Sequence, residues 1–128
     1  MRTLCTPVDG TPEVTDVRDG GATTRVTVSS DERVFPGHYP GFPIFPGVCV
    51  VEYVHLGALA TLPATEGEWE LSAVETTRFL SPVFPGDVLT TELAWSRDGE
   101  AWRCKAVASS PRGSAAQVRL RFEQRSPR

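Results

Sequence analysis

The stretch that most constrains this chain is GVCVVEYVHLGALATL, residues 47–62. Strands commonly run about 5–6 residues, so a run of this length reads as a helix. Pro46-Gly47 at its start and Pro63 just past its end punctuate it in the same sense. Wound into a helix, Val48, Val51, Val54, Leu56, Leu59 and Leu62 surround the axis on every side. A helix apolar all round must be buried all round. Its cover has to come from the rest of a 128-residue chain or from a second protomer.

The remainder reads as strands. EVTDV (13–17) and TTRVTVSS (23–30) are rich in Val and Thr, and the RDGGA between them predicts a β-hairpin. WELSAVETTRFL (69–80) and DVLTTELAWS (87–96) alternate with period two, joined by the turn SPVFPGD. RDGEA then leads to WRCKAVASS (102–110), and PRGSA to AAQVRLRFEQ (115–124). Short turns predict that these four strands form an antiparallel meander. The order of hairpin, loop, buried helix and four strands specifies an α+β fold. One central helix is wrapped by a strongly curved antiparallel sheet of about six strands. We expect a single domain over residues 1–128, with segments 1–11 and 124–128 peripheral.

Composition excludes several classes. A net charge of −3 lacks the basic face of a nucleic-acid binder. Cys5, Cys49 and Cys104 are odd in number and include no CxxC pair, which argues against a disulfide framework or a zinc knuckle. The first residues carry no basic region followed by an apolar run, so no secretory signal is expected. No apolar run reaches the ~20 residues of a membrane helix. The expectation is a soluble, cytoplasmic protein.

The chemistry concentrates between residues 34 and 56. His38 lies in FPGHYPG, in a loop stiffened by Pro36, Pro40, Pro43 and Pro46. Such a loop either aims a side chain or is only a rigid connection. Glu52 sits inside the apolar helix. Buried there, a carboxyl group would stay protonated and could act as a general acid. The alternative is a solvated stripe shared with His55, Ala58 and Thr61. His55 could pair with Glu52 across one helical turn, but reads as an ordinary helix-edge histidine. Glu75, Asp87 and Glu92 are expected on the solvent face of strands. Trp69, Trp95 and Trp102 are expected in core or interface, and Cys49 as a structural thiol. No metal-ligand spacing is present.

FPGHYPGFPIFPGVCVVE resembles the active-site segment of FabZ-type (3R)-3-hydroxyacyl-[acyl carrier protein] dehydratases of the hotdog fold. A histidine in a similar turn is followed there by a helical glutamate fourteen residues on, as His38 is followed by Glu52. RFLSPVFPGD (78–87) is similar to that family's downstream signature. The resemblance implies a helix wrapped by a sheet, dimerisation through adjacent sheets, and an active site drawing its histidine and its acid from different subunits. It implies His38 as base, Glu52 as acid, the Gly47 amide as carbonyl-oxygen donor and the Ile44 carbonyl as orienter of the imidazole. It implies no cofactor and no metal. The implied partners are an acyl carrier protein bearing a 3-hydroxyacyl phosphopantetheine, and a second copy or a related chain. Leu56 stands where the family usually has glutamine, and Tyr39 where it favours phenylalanine. The amino terminus lacks the family's usual opening, which points to a dedicated polyketide or polyene pathway rather than housekeeping fatty-acid synthesis. A hotdog acyl thioesterase and a non-catalytic carrier-protein-binding subunit are the alternatives.

Overall fold

A computed structural model describes residues 11–28, 47–63, 67–84 and 86–124. The segment carrying His38 and Ile44, and nearly all of the terminal segments 1–11 and 124–128, lie outside the described residues.

Among the described residues, six strands and one helix occur in the expected chain order. They are β1 (Glu13–Arg18), β2 (Gly21–Thr27), α1 (Gly47–Thr61), β3 (Trp69–Phe79), β4 (Val88–Asp98), β5 (Ala101–Ser110) and β6 (Gly113–Gln124). The first pair is the expected hairpin, and Gly20 takes a positive φ of 76° in its turn, a conformation glycine adopts without steric cost. All neighbours in the sheet are antiparallel, in the order β1-β2-β4-β5-β6-β3.

That order corrects the expected meander. Only β4, β5 and β6 follow one another in space, while β3 pairs with β6 at the far edge. SPVFPGD is therefore a crossover past two strands. Adjacent strands lie about 4.8 Å apart, so the crossover must span about 14 Å, well within the reach of an extended chain of this length. Period-two alternation identifies strands but carries no information on which strands are neighbours.

The crossover is tied down at both ends. Leu80 N–H donates to the carbonyl of Ala115 at 2.8 Å. At the other end, Asp87 is buried, which corrects its expected place on a solvent face. It precedes β4 and so escapes that strand's alternation. Its carboxylate accepts the Phe84 N–H at 2.9 Å and pairs with Arg112, whose guanidinium also lies 4.5 Å from the Phe84 ring centroid. The Asp87 carbonyl accepts the Val28 N–H at 2.9 Å, so this knot also holds the end of β2, where the chain leaves for the segment bearing His38.

The helix touches all six strands. It lies on an inner sheet face rich in small residues: Ala22, Cys104, Ala106, Ala108 and Ala116 are all fully buried. The packing is tight at Gly57, where an added Cβ would come within 3.1 Å of the buried Thr24 side chain. Gly57→Val is therefore expected to cost about 1–3 kcal/mol by overpacking, measured as a lower urea midpoint at unchanged m-value. The outer face is charged. Arg18 pairs with Asp16 and Glu92, Arg103 with Glu75 and Asp98, and Arg121 with Asp98 and Glu123. Glu75 and Glu92 thus occupy the solvent side as expected.

Candidate active site

One side of α1 is sealed and the other is not. Cys49, Val50, Tyr53, Val54, Gly57 and Ala58 are buried against the sheet. Val51, Glu52, His55 and Leu56 are only half-buried, and Leu59 is 40% exposed. Among the described residues, burial of the helix on all sides is thus not achieved. A sheet of this size covers one side of a helix, and the remaining apolar stripe stays open.

Glu52 lies on that stripe. Its side chain is 17% exposed and that of His55 is 21% exposed. The solvated-stripe alternative fails, because Ala58 is fully buried and Thr61 turns its hydroxyl back to donate to the Gly57 carbonyl at 2.9 Å.

His55 is not an ordinary helix-edge histidine. Its Nδ1 lies 3.3 Å from Glu52 Oε1. Its ring stacks on Phe122, with centroids 6.1 Å apart and an interplanar angle of 29°. Phe122 is fully buried and packs against Trp95 at 5.6 Å, and Trp95 meets Trp102 edge-on at 6.2 Å. An aromatic row rooted in the core therefore supports the imidazole. The i, i+3 spacing was the available sequence signal; the Phe122 platform on β6 had none.

Gly47 is the first residue of α1. Backbone amides in the first turn have no intrahelical acceptor, and the dipole there favours negative charge. His38 and Ile44 lie outside the described residues. Leu56 packs against the core edge and offers no hydrogen bond. Cys49 and Cys104 are buried, and burial pushes the Cys104 thiol up to about 12, so neither thiol resembles an activated nucleophile. Among the described residues no three His, Cys, Asp or Glu side chains stand together to hold a metal ion. None of the described helices is long and apolar enough to cross a membrane.

The chain matches the model of a known family. The family model described as ApeI dehydratase, of the ApeI-like family, covers residues 14–117. The chain belongs to the ApeI-like dehydratase family. It is also similar to proteins named 3-hydroxyacyl-[acyl-carrier-protein] dehydratase FabZ. The one from Roseobacter denitrificans is 32% identical over 120 residues, 87% of this chain and 74% of that protein. The one from Acidiphilium cryptum is 39% identical over 88 residues, 63% of this chain and 53% of that protein. In this and two further curated relatives the chain spans about half of their length, at 53%, 49% and 49%. Among solved structures, one described as the dehydratase heterocomplex ApeI:P from Xenorhabdus doucetiae matches with a TM-score of 0.66. It is 20% identical and covers 84% of this chain and 90% of that one. At that identity the likeness bears on the fold, which is the hotdog arrangement of ApeI-like dehydratases.

Proposed function

We propose that this chain is a dehydratase that removes water from (3R)-3-hydroxyacyl thioesters on an acyl carrier protein, giving trans-2-enoyl thioesters. The observation that carries the reading is the placement of Glu52. It is a shielded carboxyl group on the helix side that the chain's own sheet leaves open. It also follows His38 by fourteen residues, in a member of the ApeI-like family.

In this mechanism His38 removes the proton from the carbon next to the thioester carbonyl. Negative charge moves onto the carbonyl oxygen, where the Gly47 amide at the start of α1 donates; such a donor can contribute about 3 kcal/mol. The carbon–carbon double bond forms as the C3–oxygen bond breaks, and the protonated Glu52 carboxyl delivers its proton to the departing hydroxyl, which leaves as water. The Ile44 carbonyl orients the imidazole. His38 ends protonated and Glu52 ionised, and proton exchange resets both. The route calls on no metal or organic cofactor.

The working unit is a dimer, of two copies or of this chain with a related one. Support comes from the half-open stripe Val51, Leu56 and Leu59 on α1, and from edge strand β3, which with the residue after it exposes Val74, Phe79 and Leu80. By the resemblance, the histidine and the acid of one site would come from different protomers. We place the reaction in the cytoplasm, in fatty-acid, polyketide or polyene biosynthesis.

The test is incubation of the protein with carrier-protein-bound 3-hydroxyacyl substrates of several chain lengths, followed by mass spectrometry. Loss of one water is expected. Release of the free acid would identify a thioesterase instead, and no turnover at any chain length by folded protein would overturn the reading.

A further inference from the structure

We propose that His55 is a positioning residue that fixes the orientation and proton state of Glu52. This rests on the dehydratase reading for its catalytic consequence, but the contact itself stands on geometry. The imidazole is held from two directions. Its Nδ1 sits 3.3 Å from Glu52 Oε1, and its face rests on the fully buried Phe122. Both partners of the pair are mostly withdrawn from water, at 17% and 21% exposure, so the contact is not the mobile kind seen between exposed side chains.

An acid that must alternate between a protonated and an ionised form needs a neighbour that can serve both. A neutral imidazole does so by changing tautomer. It accepts the O–H of protonated Glu52 at Nδ1; once that proton has gone, the ring takes a proton from solvent at Nδ1, releases the one at Nε2 to solvent, and donates Nδ1–H to the carboxylate. Leu56, the next residue on the same stripe, can do neither.

The experiment separates orientation from packing. His55→Phe keeps an aromatic ring over Phe122 and removes the hydrogen bond. His55→Asn loses the ring but places an amide nitrogen near the position of Nδ1. His55→Phe combined with Leu56→Gln returns a donor and acceptor one residue further along the stripe. We expect His55→Phe to lower kcat about 30-fold, the scale on which a misplaced catalytic group costs rate, with KM within about threefold of wild type. His55→Asn and the double variant should each recover most of the loss. If His55→Phe turns over like wild type, or if it loses activity and neither amide restores it, the proposal is overturned. His55→Leu replaces His55→Phe in the comparison if the latter does not fold.

A second measurement needs no turnover. In protein labelled with nitrogen-15 at histidine, Glu52→Leu should shift the His55 Nδ1 resonance. An unmoved Nδ1 would overturn the contact even if the dehydratase reading holds. A moved Nδ1 in a protein without dehydratase activity would uphold the contact and refute that reading.

Discussion

Glu52→Gln is expected to lower kcat for dehydration by about a thousandfold, within the 10²–10⁴ range that general acid–base groups supply. The substitution keeps volume, shape and hydrogen-bonding capacity on the half-buried stripe of α1, so folding should be little changed. What disappears is a transferable acidic proton at the departing hydroxyl. KM should move by only a few fold, because the lost interaction belongs to the transition state. The assay is initial-rate dehydration of a 3-hydroxyacyl carrier-protein substrate, with thermal denaturation as the folding control. A Glu52→Gln enzyme within tenfold of wild type would remove Glu52 from the role of acid. His38→Ala should fail to a similar degree, and the two single losses should not multiply when combined, since base and acid act in one elimination.

Phe122→Ala is expected to cost about 3–5 kcal/mol, the range for truncating a buried phenylalanine. Phe122 is fully buried, packs on Trp95, and faces Leu71 on β3 and Trp102 on β5 across the ladder. Total stabilities of small domains are about 5–15 kcal/mol, so this one change could consume much of the margin. Urea denaturation measures it, and a loss below about 1 kcal/mol would mean that the surrounding core collapses into the space. Phe122→Leu is the gentler companion. It preserves most of the apolar volume but removes the flat surface under His55. It should fold, and should lower kcat more than its stability loss alone would suggest.

Much of this molecule was legible in its residues. The period-two pattern of DVLTTELAWS identified β4, and Pro46-Gly47 with Pro63 bracketed α1 to within a residue. These are local signals, set by backbone sterics and by the two side-chain periods. Glu52 stood out because a carboxyl group inside an apolar helix is costly unless something compensates. Other features were not legible. The solvent-face reading of Asp87 failed because its partners, Phe84, Arg112 and Val28, are assembled by the crossover and by a turn far along the chain. His55 read as ordinary because the ring beneath it belongs to β6.

The sequence by itself thus determined the kinds of element, their order, and the fourteen-residue separation between His38 and Glu52. Each of these follows from local conformational preference and from spacing along one chain. The tertiary structure decided which strands are neighbours, which side of the helix stays open, and what touches Glu52. Those depend on contacts between residues distant in the chain, such as β3 with β6 and His55 with Phe122. No periodicity encodes such contacts, because many strand orders satisfy the same alternation and only the packing of one helix on one sheet selects among them.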